Sequence, residues 1–216
     1  MATAEPNAVP TVAFVTAVAA VSAGLVTLSY EASRARIDAN QRARLEAQLV
    51  QVLGGHDYDN NIGESRRVVI APELLGSRDP LPLYVASSGG RVVAVILSAI
   101  APHGYNGPIG LLVGVDRDAR IIGVRVTSHR ETPGLGDAIE IERSNWIDGF
   151  AGTSLDEPPI ADWRVTKDGG RFDSITGATV TPRAVTAAIR NVLVYFRDNR
   201  DSLLDPDPNE STNDAQ

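Results

Sequence analysis

The chain has 216 residues, which is long enough for one compact domain together with a membrane anchor. A formal net charge of −7 and the lack of a basic patch exclude nucleic acid as an expected partner. Since there is no cysteine, the sequence excludes thiolate-held iron–sulfur clusters, c-type haem attachment, cysteinyl flavin linkage and disulfide bonds. The histidines His56, His103 and His129 are scattered, so no metal site is expected and an organic redox cofactor is favoured over a metal held by other ligands.

The N-terminal region predicts a single membrane-spanning helix. Residues 6–30 carry no charge, and residues 9–30 are mostly Ala, Val, Leu and Phe, long enough to cross a hydrocarbon core. A cleaved signal peptide is the alternative interpretation. The basic region that begins such peptides is missing, because the preceding residues contain Glu5 and no Lys or Arg. We therefore expect an N-terminal tail over residues 1–8 and a retained transmembrane helix over residues 9–30.

The helical pattern continues beyond the predicted membrane segment. Apolar residues recur at helical spacing among charged ones, and Gly54-Gly55 ends the pattern. The apolar positions are Ile37, Leu45, Leu49, Val52 and Leu53. A juxtamembrane helix over residues 31–54 is therefore predicted. Its apolar face is interpreted first as a packing surface and second as a surface for a partner.

The region from 55 to 204 is predicted to be one α+β domain with an antiparallel sheet and flanking helices. Segments rich in Val and Ile predict strands over residues 67–71, 81–86, 92–100, 111–115 and 121–127, and a further short strand over 163–166. Turn residues at 87–90 and 116–119 predict antiparallel hairpins. Residues 205–216 are polar, acidic and interrupted by proline, which predicts a disordered tail.

Two loops carry the residues of chemical interest. Residues 128–137 read Ser-His-Arg-Glu-Thr-Pro-Gly-Leu-Gly-Asp and follow the last strand, with a short helix expected from Asp137 to Glu142. Residues 173–181 read Asp-Ser-Ile-Thr-Gly-Ala-Thr-Val-Thr and precede a helix that is predicted to reach Phe196. Thr181 is the predicted N-cap of this helix, with Pro182 at its first position.

The chemistry of the second loop suits a phosphate group. Small residues at Gly177 and Ala178 allow close approach of a ligand to the backbone, and a helix N-terminus offers free N–H groups. Hydroxyl groups at Thr176, Thr179 and Thr181 surround them. From these local features alone, an ordinary helix start is the favoured interpretation for this second loop. The corresponding interpretation for the loop at 128–137 is a plain strand-to-helix turn.

Both loops resemble signatures of one known family. Asp-x-x-Thr-Gly-Ala-Thr at 173–179 resembles the flavinylation motif of FMN-binding domains, and His-x-Glu-Thr-Pro-Gly-Leu-Gly at 129–136 resembles a second signature of the same domain. The two motifs occur in the expected order after one anchor. From about residue 9 to residue 204 the chain is therefore similar to the G subunits of the Rnf (Rsx) family of ion-translocating electron transport complexes. The C subunit of the sodium-pumping NADH:quinone reductase is a near relative.

The resemblance implies one FMN per chain, bound covalently by a phosphoester on Thr179. A separate flavin transferase with FAD as donor makes this bond in the family, and Asp173 is then a recognition or activation residue for it, the alternative being an ordinary turn aspartate. The other residues implied at the cofactor are Thr176, Gly177, Ala178, Thr181, Glu131, Thr132, Gly134 and Leu135. No catalytic residue and no metal ligand is implied. Tyr105 is assigned a structural role first and a flavin contact second.

The implied function is electron relay within a bacterial inner-membrane translocase, with its membrane, iron–sulfur and flavin subunits as partners. The chain is not expected to act as a stand-alone enzyme, since it lacks a dinucleotide fingerprint and has one span. The resemblance places the flavin domain in the periplasm, whereas Arg34, Arg36, Arg42 and Arg44 favour a cytoplasmic domain by the positive-inside rule. The alternatives are a C subunit of the sodium-pumping type, which is typically longer, and an anchored assembly or binding module without redox function.

Overall fold

The computed structural model describes residues 8–205 of the chain. The predicted N-terminal tail, except Ala8, and the predicted acidic tail, except Asp205, lie outside the described residues. The chain divides into two compact units, and the boundary between them falls after Leu45.

The first helix, α1, runs without interruption over Ala8–Leu53. The sequence predicts this continuity, because the apolar segment passes directly into the charged helical pattern. In the first unit its large apolar side chains are exposed, as at Phe14 (70%) and Leu25 (63%). Within residues 8–205, one helix is long and apolar enough to cross a membrane, and it is this one.

The second unit contains a five-stranded antiparallel sheet with the order β1-β2-β3-β4-β5. The strands are β1 Arg67–Val69, β2 Leu81–Ser88, β3 Arg91–Ala101, β4 Ile109–Asp116 and β5 Ile121–Ser128. Both predicted hairpins are present. The turn residues at 87–90 connect β2 to β3, and those at 116–119 connect β4 to β5. The helices of this unit are α2 Pro72–Leu75, α3 Val180–Asp198 and α4 Arg200–Leu203.

The predicted strand at 163–166 is wrong. Val165 forms only an isolated bridge with Phe172, between 3-10 helices at Ile160–Asp162 and Thr166–Asp168. The carbonyl of Val165 accepts the N–H groups of Asp168 and Gly170. Because the backbone groups bond within this turn, they are not available for a neighbouring strand. The short helix expected from Asp137 is a 3-10 helix over Gly136–Ile139.

Both faces of the sheet are covered, which explains why the central strands are apolar without alternation. On one face the main core joins residues such as Val95 and Val113 to Val185 and Ile189 of α3. On the opposite face Val52, near the end of α1, lies against two glycines that are partners in register, Gly114 of β4 and Gly123 of β5. A Cβ atom at Gly123 would lie 2.7 Å from the Val52 carbonyl oxygen, so this contact requires glycine.

Candidate functional site

A cavity of 350 Å³ lies where three loop segments meet the start of α3. The segments are the loop between β3 and β4, the loop after β5, and the turn before α3. The lining residues are Tyr105, Glu131, Thr132, Leu135, Gly136, Gly177, Ala178, Thr179, Val180 and Thr181. Most of the residues implied by the two motifs are therefore brought together around one cavity.

Three of the implied residues do not line this cavity. Gly134 and Thr176 are exposed and lie in the same loops as lining residues. Asp173 lies at a second cavity of 460 Å³, which is walled by Trp146, Gly149, Phe150, Ala151, Thr153, Arg171 and Phe172. The backbone carbonyl of Asp173 accepts a hydrogen bond from Trp146 Nε1 at 2.8 Å, and its side chain is exposed. The motif from 173 to 179 thus runs from one cavity to the other.

The predicted N-cap of α3 is wrong. The helix begins at Val180, so Thr179 is the N-cap residue and Thr181 lies in the first turn. The Thr181 hydroxyl donates to the buried Glu131 Oε2, a charge-assisted bond, and does not accept a helix N–H group as a cap would. Pro182 remains compatible with this register, since proline is tolerated throughout the first turn. The half-buried Thr179 makes no side-chain capping bond.

Glu131 is the best-connected residue of the site. It is 4% exposed, and Oε1 accepts the backbone N–H of Asn106 at 3.0 Å while Oε2 accepts the Thr181 hydroxyl. The Asn106 side chain also donates to Thr132 Oγ1 at 3.1 Å. One carboxylate therefore joins the loop between β3 and β4, the loop after β5 and the start of α3.

His129 supports Glu131 from behind the cavity. Its Nδ1 accepts the backbone N–H of Glu131 at 3.0 Å, and its Nε2 lies 2.9 Å from Glu140 Oε1. Because Nδ1 acts as acceptor, the ring proton is on Nε2 and is donated to Glu140. Arg143 lies 3.8 Å from Glu140 and 3.5 Å from the buried Asp137, so this side of the loop is a network of charged groups.

The backbone around the cavity is shaped by glycines. Gly177 has a φ of +81°, in the left-handed region that favours glycine, and a Cβ atom there would lie 2.7 Å from Leu135 Cδ2. At Gly136 a Cβ atom would lie 2.8 Å from Glu131 Oε2. These contacts explain why the two motifs carry glycine where the loop after β5 meets the turn before α3.

The residues present fit a ligand with a phosphate at one end and an aromatic ring at the other. The hydroxyl of Thr179 and the N–H groups at the start of α3 are suited to a phosphate. Exposed apolar side chains form the mouth of the cavity: Tyr105 (69%), Leu135 (43%) and Val180 (40%). The volume also falls within the range of about 300–1,000 Å³ that is typical of small-molecule sites. FMN has both kinds of group, so the site fits it.

Some features of the site were not predictable from the two motifs. The loop residue Asn106 and the helix residue Val180 carry no motif signal, and the role of Thr181 depends on a partner 50 residues away. Tyr105 is exposed at the cavity mouth, which favours its second interpretation, as a ligand contact, over a structural role. Phe150 belongs to the core, and neither it nor Trp146 lines the cavity that contains Thr179.

An ion pair holds the start of α3 from outside the cavity. Arg183 donates to Asp168 through Nε at 2.6 Å and through Nη2 at 2.5 Å. The hydrogen bond from Arg183 holds the pKa of Asp168 below its ordinary value, and the same bond raises the pKa of Arg183. Across residues 8–205 there is no group of three or more His, Asp or Glu side chains placed to hold a metal ion.

Comparison with known proteins gives a consistent result. The FMN-binding domain model matches residues 104–194, a range that includes every residue lining the cavity. The G subunit of the ion-translocating oxidoreductase complex of Pseudomonas aeruginosa is 50% identical over 189 residues, which cover 88% of each chain. The G subunit from Shewanella loihica is 42% identical over 180 residues, and that from Aliivibrio fischeri is 41% identical over 179 residues. Each of these two matches covers 83% of this chain and 85% of the relative.

Proposed function

Because this chain belongs to the family of G subunits of ion-translocating oxidoreductase complexes, we propose that it is a membrane-anchored flavoprotein subunit that relays electrons through FMN within such a complex. The observation that carries the proposal is the cavity at Thr179, which combines a hydroxyl group, a helix start and an apolar mouth. When bound, FMN supplies electron transfer in one-electron steps. The relatives are G subunits by name, which favours this type over the C subunit of the sodium-pumping reductase.

Thr179 is proposed to hold one FMN per chain through a phosphoester bond. Its side chain lines the cavity and is not engaged in capping α3. A threonine hydroxyl is a weak nucleophile without a base, and the one carboxylate of the cavity, Glu131, already accepts two hydrogen bonds. A separate flavin transferase is therefore required. Thr179 Oγ bonds to the flavin-side phosphorus of FAD, the pyrophosphate bond breaks, AMP leaves, and the hydroxyl proton passes to a base of the transferase.

The remaining residues of the motifs are proposed to act around this bond. Gly177 and Ala178 keep the backbone close to the phosphate, while Leu135 and Tyr105 exclude water from the ring at the mouth. Asp173, which lies at the second cavity, is proposed as a recognition residue for the transferase. Gly134 and Thr176 are proposed to shape the loops rather than to contact the ligand. This division follows from which residues line the cavity.

The helix α1 is proposed to anchor the chain in the bacterial inner membrane with the flavin domain on the periplasmic side. Exposed apolar side chains along its first half support the anchor, because water is a poor solvent for them. The arginines that follow the apolar segment favour the opposite orientation. Long domains translocate with little regard to flanking charge, so the periplasmic placement is retained. The proposed partners are the other subunits of the complex, including its membrane subunits.

The test is intact-protein mass with peptide mapping on the full chain, produced together with its flavin transferase. We expect a gain of one FMN less one water, located on the peptide that contains Thr179. Thr179→Ala should lose the modification completely, whereas Thr179→Ser, which keeps a hydroxyl at the same position, should retain it. Flavin that is released on denaturation would contradict the covalent bond, and a chain with no flavin at all would favour a binding or assembly module.

A further inference from the structure

We propose that Glu131 is a positioning residue that holds the Thr179 turn ready for flavin attachment, and that it does so through Thr181 rather than by binding the flavin. This inference rests on the proposed function, since it assigns Thr179 as the attachment site. The three residues Asn106, Glu131 and Thr181 are called the Glu131 clamp below.

Both oxygens of Glu131 are occupied by groups of the protein itself. Oε1 accepts the Asn106 N–H at 3.0 Å and Oε2 accepts the Thr181 hydroxyl, while the residue is only 4% exposed. Each oxygen of this carboxylate therefore already accepts a donor of the protein, and the low exposure leaves little of the group open to a ligand. The carboxylate therefore serves the protein's own donors.

The backbone closes over each of these oxygens. A Cβ atom at Gly104 would lie 2.9 Å from Oε1, and a Cβ atom at Gly136 would lie 2.8 Å from Oε2. Glycine at both positions lets two loops pack directly on the carboxylate. Glu131 is thus enclosed by the wall of the cavity, although part of its surface lines the cavity itself.

The Glu131 clamp acts on the turn that carries Thr179. Thr181 lies two positions after Thr179 in the first turn of α3, and it is 1% exposed. The start of α3 has no side-chain cap, and the bond from Thr181 to Glu131 fixes the first turn of the helix to the loop after β5. The clamp therefore determines where the Thr179 hydroxyl lies relative to the cavity.

His129 gives the clamp its second support. It accepts the backbone N–H of Glu131 and donates to Glu140, so it holds the backbone of Glu131, while Asn106 and Thr181 hold the side chain. A chain of hydrogen bonds consequently runs from Glu140 through His129 and Glu131 to Thr181. The bonds from Asn106 and Thr181 orient the carboxylate, and the bond to His129 fixes the backbone that carries it.

The chain offers a matched control for Thr181. Thr186 lies on the same helix and is also 1% exposed, but its hydroxyl has no hydrogen-bond partner within the described part of the chain. Replacing either threonine by valine removes a buried hydroxyl and keeps the shape of the side chain. Only the replacement at 181 breaks the clamp.

The first measurement is hydrogen exchange of the backbone amides of residues 177–181 and 183–185, which cover the Thr179 turn and the first turn of α3, in the flavin-free full chain in detergent. In Thr181→Val we expect exchange on the order of tenfold to a hundredfold faster than in the unchanged protein, as for loss of a hydrogen bond to a charged group. Thr181→Ser, which restores the donor, and Thr186→Val should exchange within about threefold of the unchanged protein. Equal exchange in Thr181→Val and the unchanged protein would overturn the proposal, as would equal acceleration in Thr186→Val.

The second measurement is the rate of flavin attachment by the transferase with FAD, followed by intact mass. Thr181→Val should load at least about tenfold more slowly, Thr181→Ser should recover most of the rate, and Thr186→Val should match the unchanged protein. Loading of Thr181→Val at the unchanged rate would overturn the positioning role. Absence of flavin from the unchanged protein would instead refute the proposed function, and the hydrogen-exchange result would still decide whether the clamp orders the turn.

Discussion

The strands β2–β5 and the segment from 129 to 179 are built by different means. In the strands, backbone groups pair with each other over long registers, as in the eight residue pairs between β3 and β4. In the later segment the backbone forms four short 3-10 helices, none of which has a side-chain cap. The sheet thus leaves little backbone free to shape a ligand site, whereas the irregular segment can bend its backbone around one.

The irregular segment is held instead by side chains. Phe150 lies at the centre of an aromatic cluster, with its ring centroid 4.4 Å from that of Phe172, 5.2 Å from that of Trp146 and 6.2 Å from that of Trp163. The Trp163 indole N–H bonds to the Ser154 carbonyl at 3.0 Å. A segment without a hydrogen-bonded ladder therefore depends on a few large contacts, and the loss of one contact should matter more than in the sheet.

Phe150→Ala should have the largest effect, because it removes the centre of the aromatic cluster. Phe150 is 1% exposed, and deletion of a buried phenylalanine costs about 3–5 kcal/mol of unfolding free energy. Urea denaturation followed by tryptophan fluorescence would measure the loss of unfolding free energy, since Trp146 and Trp163 both lie beside Phe150. Val68→Ala, at a residue of β1 that is 53% exposed, is the control and should change the unfolding free energy by less than about 0.5 kcal/mol. A loss below about 1 kcal/mol for Phe150→Ala would show that the segment does not depend on the cluster.

Gly123→Ala, in strand β5, should have an intermediate effect on the unfolding free energy. The added Cβ would lie 2.7 Å from the Val52 carbonyl oxygen, and a backbone atom cannot move away without shifting the end of α1. Overpacking of this kind costs about 1–3 kcal/mol. The matched control is Gly149→Ala in the irregular segment, where a Cβ would meet no atom within 4 Å and the stability should be unchanged or slightly higher. Thermal unfolding of both variants would sharpen the comparison between the two regions. An equal change in stability for Gly123→Ala and Gly149→Ala would contradict it.

Arg183→Gln should have the smallest effect, and the effect should depend on pH. Arg183 holds the pKa of Asp168 below its ordinary value of 3.8, so the ion pair stabilises the fold above that pH and the stabilisation is lost as the pH falls through the lowered pKa. The difference in Tm between the two proteins should therefore be present at pH 7 and should vanish in stronger acid. Since the pair is largely exposed, high salt should also reduce the difference. A difference in Tm that is constant from neutral pH down to strong acid would contradict this assignment.

The sheet was predictable because its signals are local. Runs of Val and Ile mark each strand, and Gly or Asp residues mark each hairpin, so strand number and pairing follow from short windows of sequence. The errors occur where competing hydrogen bonds override a local preference. Residues 163–166 have strand-forming side chains, yet their backbone groups bond within a turn. Thr181 has the position of a cap in the sequence, yet its hydroxyl bonds to a buried carboxylate.

The candidate site was likewise predictable from the sequence only in part. The sequence by itself determined the long apolar helix, the order of the strands and the two motifs that hold Glu131 and Thr179. Only the tertiary structure decided that Asn106, Glu131 and Thr181 meet, that Asp173 lies at a separate cavity, and that Tyr105 is at the mouth of the site. The physical reason is the range of the interactions. Periodicity and turn chemistry act over a few residues, whereas the hydrogen bonds of Glu131 join groups 25 and 50 residues apart, and these depend on how the chain packs.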